Sequence, residues 1–544
     1  MTAPLLRIED LSIAYQDHHQ WRRVTHHIGF DMQKGEALAL VGESGSGKTT
    51  TAQSILGLLP KNARIETGHI FINGHDISRW SSRRLRFLRG KIISLIPQDP
   101  SSSLDPLMKI GHQIAEIFHI HKTLAKHHIK SRVIELLEEV GFSEAEKRAN
   151  QYPHELSGGM KQRVLIAMAI ALKPDLIIAD EPTSALDVTV QKRILDLIDG
   201  LKREHGASLL MVTHDLGVAS DRAERIIILQ NGRIQEVGKS QIVLSSPQSD
   251  YTKNLVAHDP ALSPIKFRKK TISDDIVISV DNLMVDYKGN DKEKKTVFRA
   301  VNDVSFQVAH GTTHALVGES GSGKTSTIRA LCGFITPTSG KIKINGMDVT
   351  HLKPKELRAF RRHLQMVYQN PFGSLDPHYT IGQIIEEPLW NFDHHDKFER
   401  RQRVLTLLDQ VELPQSSLER KPHALSGGQR QRVAIARALI LEPEILVLDE
   451  AVSALDVSVQ AQILALLERL QKEHALTYLF VSHDLSVIRQ IADTVSVLKD
   501  GIALETGYVE DIFTKPHHAY TRMLISAIPG KANALHHSLM GASL

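Results

Sequence analysis

The chain has 544 residues, of which 42% are hydrophobic and 24% are charged. This length predicts two or more domains, and the composition is typical of globular proteins rather than of disordered or collagen-like chains. The 66 basic residues nearly balance the 62 acidic ones, so the formal charge of +4 does not indicate nucleic-acid binding, and the single cysteine excludes an internal disulfide or a cysteine-ligated cluster.

No stretch of the sequence is long and apolar enough to cross a membrane as a helix. The longest unbroken apolar run, residues 164–172, has nine residues, whereas a membrane-spanning helix needs about 20. Acidic residues interrupt the first ten positions before the apolar region of a signal peptide could form. We therefore expect a protein without a transmembrane segment that stays in the cytosol.

In chain order, the first informative element is a buried strand over residues 37–41, an apolar run that ends at Gly42. Residues 42–49 then match G-x-x-x-x-G-K-[ST], in which backbone N–H groups surround phosphates at the N-terminus of a helix. Lys48 is expected to reach the β and γ oxygens of a nucleotide, and Thr49 to bind Mg²⁺ through its hydroxyl. The alternative is a glycine-rich turn that merely precedes a helix.

After a mostly helical section, Ser157, Gly158 and Gly159 precede a helix predicted to begin near residue 160. Serine is a favoured N-cap, and the glycines leave N–H groups accessible at the positive end of the helix dipole. These residues predict a second anion site. An ordinary helix cap is the alternative interpretation.

A second buried strand, residues 176–179, leads directly into Asp180 and Glu181. Ligands bind at the carboxyl ends of strands in open parallel sheets. We expect Asp180 to hold Mg²⁺ through water, and Glu181 to orient or deprotonate the water that attacks a γ-phosphate. For an isolated Asp-Glu pair, a capping or surface acid would be the better interpretation.

The whole pattern occurs twice, which disfavours these simpler alternatives. The phosphate loop recurs at residues 318–325, an offset of 318 − 42 = 276, with Lys324 and Thr325 in the matching places. The Ser-Gly-Gly, Asp-Glu and histidine motifs recur at residues 426–428, 449–450 and 482–484 with an offset of 425 − 156 = 269. We therefore expect α/β domains at residues 1–260 and 276–530, a solvated linker at 261–275 and a tail at 531–544.

These motifs together resemble the nucleotide-binding domains of the ATP-binding cassette (ABC) superfamily, whose signature is L-S-G-G-Q, over nearly the whole chain. The resemblance implies two tandem P-loop NTPase domains, each with a RecA-like core, a helical subdomain and a small antiparallel β subdomain. It also implies that Tyr15 and Tyr287 stack on adenine, although a tyrosine near a strand is often simply packed. Residues 184–187 and 453–456 are similar to the D-loops of the family.

The resemblance implies a role in hydrolysis for six residues: Glu181, Glu450, His214, His483, Gln98 and Gln369. The residues expected to bind Mg²⁺ are Thr49, Gln98, Asp180, Thr325, Gln369 and Asp449. Those expected to bind ATP lie in the phosphate loops, the signatures and the stacking positions: Tyr15, Gly42, Glu43, Ser44, Gly45, Ser46, Gly47, Lys48, Thr49, Thr50, Ser157, Gly158, Gly159, Tyr287, Gly318, Glu319, Ser320, Gly321, Ser322, Gly323, Lys324, Thr325, Ser326, Ser426, Gly427 and Gly428.

In this family two domains clasp head to tail. ATP at Lys48 is therefore expected to meet the signature at Ser426, and ATP at Lys324 the signature at Ser157. The sequence departs from the family pattern at Met160, where glutamine is usual, and at residues 451–452, where Ala-Val replaces Pro-Thr. Neither change removes an expected ligand.

Residues 103–106 and 374–377, and the Tyr-Thr tails at residues 251–252 and 520–521, resemble importers of dipeptides, oligopeptides and nickel. Here the two ATPases are fused, as in importers of peptides and microcin C. The resemblance implies an ATP-hydrolysing subunit on the cytosolic face of the inner membrane. Its expected partners are two permease subunits and an extracytoplasmic solute-binding protein, without nucleic acid. The single cysteine excludes the iron–sulfur cluster that some members carry.

Other functions remain as alternatives. A nickel or glutathione importer is the first of them. A soluble ABC protein acting on ribosomes or DNA usually needs a long charged insertion, and a P-loop kinase would lack the Ser-Gly-Gly signature and the histidine. Four histidines in a charged stretch, His119, His121, His127 and His128, are expected to lie on a solvated helical face rather than to bind metal.

Overall fold

The structure is a computed structural model that describes residues 3–17, 20–184, 186–262, 267–268, 275–288, 297–392, 396–453 and 455–530. The chain divides into two compact units. The first unit comprises Met1–Ser263 with Pro529–Leu544, and the second comprises Pro264–Ile528. Each unit contains a four-stranded and a six-stranded sheet among its described residues.

The strands of the first unit are β1 (Leu6–Asp17), β2 (Gln20–Met32), β3 (Ala37–Val41), β4 (Ala63–Ile72), β5 (His75–Asp76), β6 (Ile93–Ile96), β7 (Leu176–Asp180), β8 (Ser208–Thr213), β9 (Arg225–Gln230) and β10 (Arg233–Lys239). Its helices are α1 (Lys48–Leu56), α2 (Ser82–Leu88), α3 (Pro100–Ser103), α4 (Ile110–His121), α5 (Lys126–Glu139), α6 (Ala145–Ala149), α7 (Gly158–Ile170), α8 (Val188–His205), α9 (Leu216–Arg222), α10 (Ser240–Ser245) and α11 (Asp250–His258).

The second unit repeats this order. Its strands are β11 (Ile276–Lys288), β12 (Val297–Ala309), β13 (Thr313–Val317), β14 (Ser339–Ile344), β15 (Met347–Asp348), β16 (Leu364–Val367), β17 (Ile445–Asp449), β18 (Thr477–Val481), β19 (Thr494–Lys499) and β20 (Ile502–Tyr508). Its helices are α12 (Lys324–Leu331), α13 (Pro354–His363), α14 (Pro371–Ser374), α15 (Ile381–Phe392), α16 (Lys397–Gln410), α17 (Gly427–Leu439), α18 (Val457–His474), α19 (Leu485–Ile491), α20 (Val509–Thr514) and α21 (Ala519–Ser526).

The six-stranded sheet of the first unit has the order β10-β9-β3-β8-β7-β6. Strands β9, β3, β8, β7 and β6 run parallel, and only β10 pairs with its neighbour in the antiparallel sense. Strands β3, β7 and β8 are buried along their whole length, as expected for apolar strands covered on both faces. The predicted α/β class and both predicted strands are confirmed, and Asp180 is the last residue of β7.

The small sheet of each unit is antiparallel, with β1 pairing with β2 and β4 in the first unit and β11 pairing with β12 and β14 in the second. In the first unit it shares an apolar core with α1. Helices α4 to α7 supply side chains to a separate core against the other face of the large sheet. The subdomains that the sequence predicts are therefore present in both halves.

Most of the expected linker, residues 261–275, and all of the expected tail, residues 531–544, lie outside the described residues. Five linker residues are described, Ala261, Leu262, Phe267, Arg268 and Asp275, and of these Phe267 and Arg268 pack against the second unit. Phe267 contacts its largest apolar core. Arg268, with 19% of its side chain exposed, pairs with Asp493 at 3.3 Å and donates to Gln471 Oε1 at 3.0 Å. These two residues therefore belong to the folded surface rather than to a solvated tether.

No helix in the described part of the chain is both long and apolar enough to cross a membrane. The histidine-rich stretch lies on α4 and α5, where His119, His127 and His128 are exposed and His121 is half-buried. Within the described ranges, no three metal-ligating side chains are grouped so as to hold an ion. Three of these four histidines therefore lie on a solvated helical face, as expected.

Candidate active site

The phosphate loop of the first unit joins the buried strand β3 to helix α1, and its geometry requires glycine. A Cβ at Gly42 would lie 2.1 Å from the carbonyl oxygen of Leu229. Gly47 precedes the helix with a φ of 97°, in the left-handed region that favours glycine. In the second unit a Cβ at Gly318 meets the carbonyl oxygen of Leu498 at the same distance of 2.1 Å.

Lys48 is the first residue of α1, and only 5% of it is exposed. Its ammonium group donates to the carbonyl oxygens of Gly42 at 2.6 Å and Glu43 at 2.8 Å. Lys324 makes the matching contacts in the second unit. A triphosphate would offer each ammonium group charged acceptors in place of neutral carbonyls, and such charge-assisted hydrogen bonds are stronger.

Thr49 and Asp180, two of the residues predicted to hold Mg²⁺, meet at the carboxyl end of β7. The Thr49 hydroxyl donates to Asp180 Oδ1 at 3.2 Å. Burial, together with the negative charge of Glu181, raises the pKa of Asp180 to about 6, and burial beside Glu450 raises that of Asp449 to about 6. A buried carboxylate whose charged form is disfavoured gains from a cation, and hydroxyl and carboxylate oxygens are ligands that suit Mg²⁺.

Glu181 stands between a glutamine and a histidine that are distant in sequence. Its Oε2 accepts a hydrogen bond from Gln98 Nε2 at 2.8 Å, and its Oε1 lies 3.1 Å from His214 Nδ1. The residue has a φ of 45°, a left-handed conformation that costs a non-glycine residue about 1 kcal/mol. The structure thus brings together three side chains that the sequence assigned to hydrolysis.

The second unit repeats this cluster around Glu450, which has a φ of 48°. Gln369 Nε2 donates to Glu450 Oε2 at 2.6 Å, and His483 Nδ1 lies 3.3 Å from Glu450 Oε1. The replacement of Pro-Thr by Ala-Val at residues 451–452 therefore leaves the arrangement of the carboxylate unchanged.

Burial and the charges in the first cluster shift the pKa values of two adjacent carboxyl groups in opposite directions. Burial alone would raise the pKa of Glu181, but the hydrogen bond and charge of His214 and the charge of Lys48 outweigh it, so the pKa is lowered. Burial would lower the pKa of His214, yet Glu181 outweighs burial and raises it. Asp180 is therefore the readily protonated carboxyl group and Glu181 the ionised one, a separation that suits a cation ligand beside a general base.

The signature serines cap helices α7 and α17. Ser157 Oγ accepts from the N–H of Met160 at 3.4 Å. Ser426 and Gln429 form a reciprocal cap, in which each side chain accepts from the backbone N–H of the other, at 3.3 and 3.1 Å. Ser157 and Ser426 are both exposed, so the predicted anion sites face solvent at helix N-termini. The departure at Met160 removes the second half of the cap in the first unit.

The second signature glycine has a structural role that sequence reasoning missed. A Cβ at Gly159 would lie 2.6 Å from Cγ1 of Val190, and one at Gly428 would lie 2.4 Å from Cγ1 of Val459. At Gly158 the atom nearest to such a Cβ is 3.6 Å away, an ordinary van der Waals distance. Gly159 and Gly428 are therefore required by close helix packing, whatever they bind.

The candidate adenine-stacking tyrosines lie beside the first turn of the helix that follows each phosphate loop. The hydroxyl of Tyr15 is 3.3 Å from Thr50 Oγ1, and that of Tyr287 is 3.3 Å from Ser326 Oγ. Both rings are half-buried and pack against the core under the small sheet. Each ring is therefore adjacent to the nucleotide loop and partly packed as well.

The predicted D-loops are described except for Ala185 and Ala454, which lie outside the described residues. Ser184 Oγ donates to the carbonyl oxygen of Glu181 at 3.3 Å, and Ser453 Oγ donates to that of Glu450 at 3.0 Å. The first residue of each D-loop therefore contacts the backbone of the glutamate that the sequence assigned to hydrolysis.

In the second unit a cleft of about 750 Å³ opens beside the cluster, between the helix that follows the phosphate loop and the helical subdomain. Its lining includes Gln369, Thr325 and Asp449, together with the charged residues Arg329, Arg361, Glu387 and Arg437. Sequence reasoning did not predict these arginines, because none of them lies within one of the motifs.

The sequence of this chain matches models of known protein families. The model of a family described as ABC transporter matches residues 25–184 and 301–453. The model described as the C-terminal region of oligopeptide and dipeptide transporters matches residues 504–542.

Among the similar proteins, a peptidoglycan transport ATP-binding protein of Agrobacterium fabrum is 43% identical over 97% of this chain and 96% of its own. A glutathione import ATP-binding protein of Escherichia coli is 38% identical over 96% of this chain and 89% of its own. A solved dimeric ATP-binding cassette with bound ADP and phosphate aligns with 43% of this chain and 98% of its own, at 31% identity and a TM-score of 0.39.

Proposed function

The chain belongs to the ABC transporter family and is an ATP-hydrolysing subunit of that family, and on this basis we propose that it energises the import of peptides. The match of residues 504–542 to oligopeptide and dipeptide transporters supports this solute class. The two relatives named above serve peptidoglycan transport and glutathione import, and both compounds contain peptide bonds. A glutathione importer is the second candidate, which the 38% identity supports.

The observation that carries the proposed mechanism is the Gln-Glu-His cluster in each unit. Glu181 and Glu450 are ionised carboxylates at the edge of the sheet where the phosphate loops begin, and each accepts a proton from the water that attacks the γ-phosphate. Gln98 and Gln369 orient that carboxylate through the hydrogen bonds at 2.8 and 2.6 Å. His214 and His483, each beside the carboxylate, face the γ-phosphate.

The phosphate loops bind the nucleotide. Lys48 and Lys324 turn from their own loop carbonyls to the β and γ oxygens. Thr49 with Asp180, and Thr325 with Asp449, would hold Mg²⁺, which would neutralise part of the negative charge of the triphosphate. Tyr15 and Tyr287 place their rings against the adenine.

Residues 1–260 and 276–530 act, in this proposal, as two nucleotide-binding domains that close on ATP. Each signature supplies N–H donors to a bound nucleotide, because one phosphate loop leaves the γ-phosphate open to water on its far side. The exposed caps at Ser157 and Ser426 support this, since capped helix N-termini offer N–H donors to developing negative charge. Closure on ATP and opening after hydrolysis provide the two states that transport requires.

The proposed partners are two membrane permease subunits and an extracytoplasmic solute-binding protein, with this chain attached to the cytosolic face of the inner membrane. The cleft beside Gln369 is the proposed seat of a permease segment in the second unit. Its volume of about 750 Å³ and its position next to Asp449 allow such a segment to sense the nucleotide site.

The test is to purify the chain with its permeases, reconstitute the complex in lipid vesicles with the solute-binding protein, and measure ATP turnover with candidate solutes. Peptides are expected to accelerate turnover. Acceleration by glutathione alone would favour the second candidate. Acceleration by Ni²⁺ alone, or failure of the chain to co-purify with any membrane protein, would contradict peptide import.

A further inference from the structure

In each unit, one glutamate on the last strand accepts hydrogen bonds from the backbone just before the helix that carries the Tyr-Thr motif. In the second unit, Glu505 on β20 accepts hydrogen bonds from the backbone N–H groups of His517 at 2.8 Å and His518 at 3.3 Å. Glu236 on β10 accepts from Gln248 and Ser249 in the same way. These contacts fix the start of helices α21 and α11, so the Tyr-Thr tail motif that follows has a defined position.

Tyr520, the second residue of α21, reaches the nucleotide site of its own unit. Only 5% of it is exposed, and its hydroxyl oxygen accepts a hydrogen bond from the backbone N–H of Glu319 at 3.3 Å. Glu319 is the second residue of the phosphate loop. Lys499 Nζ lies 5.0 Å from the centre of the Tyr520 ring and adds a cation–π contact.

Both backbone polar groups of Glu319 are held by side chains. Lys324 Nζ donates to the carbonyl oxygen of Glu319 at 2.8 Å, while Tyr520 accepts from the Glu319 N–H. The loop contains three glycines with positive φ, Gly318, Gly321 and Gly323, and glycines lose the most conformational freedom when a loop is ordered. When a phosphate draws Lys324 away, the contact with Tyr520 is the one of these two that stays.

We propose that Tyr520 is a positioning residue for the second nucleotide site, which holds the phosphate loop in its binding conformation through the backbone of Glu319. This inference rests on the proposed function, because it assigns ATP to that loop. Tyr520 lies in the segment that matches the C-terminal region of oligopeptide and dipeptide transporters. The inference therefore gives this segment a role in nucleotide binding. The buried aromatic ring suits this role because it has few rotamers to lose.

The test replaces the hydroxyl alone, with Tyr520→Phe in a chain whose first site is silenced by Lys48→Ala. The dissociation constant for ATP is measured by equilibrium titration, and the melting temperature of the nucleotide-free chain is measured alongside. We expect ATP affinity to fall about fivefold, equivalent to about 1 kcal/mol. In the chain with an intact first site, the KM for ATP should rise while kcat changes less than twofold.

Tyr478→Phe is the matched control. Tyr478 is a fully buried tyrosine in the same unit, and its hydroxyl donates to the carbonyl oxygen of Leu467 at 2.9 Å, away from the loop. This variant should lower the melting temperature and leave ATP affinity unchanged. ATP affinity equal to that of the parent in Tyr520→Phe, or an equal loss in Tyr478→Phe, would overturn the inference. Loss of affinity in Tyr520→Phe together with turnover that no peptide accelerates would uphold the inference while rejecting the proposed import function.

Discussion

Glu181 Oε1 lies 3.1 Å from Nδ1 of His214, across two neighbouring parallel strands, and Glu450 and His483 repeat the pair at 3.3 Å. In the first unit the pair favours the charged form of both members, because the pKa of His214 is raised and that of Glu181 is lowered, and in the second unit His483 lowers the pKa of Glu450. A carboxylate kept ionised in a buried site is suited to accept a proton. The presence of the pair in both units supports two hydrolytic sites.

Replacing both histidines by alanine should slow ATP hydrolysis by about 100-fold or more. Burial would raise the pKa of Glu181, but the pKa is lowered, mainly by the hydrogen bond and charge of His214. Without that partner burial dominates, so the glutamate protonates at higher pH and the acid limb of the rate profile moves to higher pH. Turnover measured from pH 5 to pH 9 checks this. An unchanged acid limb with reduced turnover would contradict the proposed charge coupling.

Binding of Mg²⁺ should weaken in acid, because Asp180 and Asp449 have a pKa of about 6 and a proton competes with the cation below that value. At pH 5 the affinity of each site for Mg²⁺ with ATP should be about tenfold lower than at pH 7. Asp180→Asn with Asp449→Asn should bind Mg²⁺ weakly at both pH values. Titration with Mn²⁺, followed by paramagnetic resonance, measures the effect directly, and a pH-independent affinity in the parent would reject it.

The second unit should lose stability in weak acid because of His314. This buried residue on β13 lies 2.8 Å from Thr494 Oγ1 and 3.1 Å from Ser496 Oγ, and stacks on Phe306 with 4.7 Å between ring centres. Burial lowers its pKa from 6.5 to about 3. Between these values the unfolded chain binds a proton that the folded chain does not, so stability falls as pH falls below 6.5, by up to about 1.4 kcal/mol per pH unit.

The first unit has Leu38 at the matching, fully buried position of β3, which makes His314→Leu the natural test. Calorimetry of parent and variant between pH 5 and pH 7.5 should show a smaller pH dependence for the variant in the transition of the second unit. The slope is the readout, since the variant also leaves two hydroxyl groups without the imidazole. Identical slopes would show that His314 is not the group that titrates.

The two signature caps should differ in stability. Gln429 closes a reciprocal cap with Ser426, whereas Met160 has no side-chain acceptor for the N–H of Ser157. Met160→Gln should stabilise the start of α7, and Gln429→Met should destabilise the start of α17, each by about 0.5–1 kcal/mol. Amide hydrogen exchange at residues 157–160 and 426–429 measures both effects. Protection that changes in the same direction in both variants would contradict this account.

The phosphate loops, the sheet-edge aspartates and the signature caps could be predicted because each depends on a short, local pattern that occurs twice. The Gln-Glu-His cluster could be named from resemblance, but its hydrogen bonds depend on the register that pairs Asp180 with Val212 and on the left-handed backbone of Glu181. A single sequence does not encode that register in any local pattern.

Long-range packing explains the remaining differences. Arg268 was expected in a solvated linker, but its partners Gln471 and Asp493 are about 200 positions away in sequence. Gly159 was interpreted only as an anion ligand because its contact with Val190 involves a neighbouring helix. Charge-rich composition and glycine content indicate local solvation and backbone conformation, and they do not predict contacts with residues far away in the sequence.

The most direct test of the central claim is the double variant Glu181→Gln with Glu450→Gln. The account predicts that ATP binding is retained while steady-state hydrolysis falls to background, because the amide keeps the shape of the carboxylate and cannot accept the proton. The matched control is Glu144→Gln with Glu442→Gln, two glutamates that share the left-handed backbone, with φ of 56° and 52°, but lie outside the clusters. Undiminished turnover in the first double variant would contradict the account, as would an equal loss in the control.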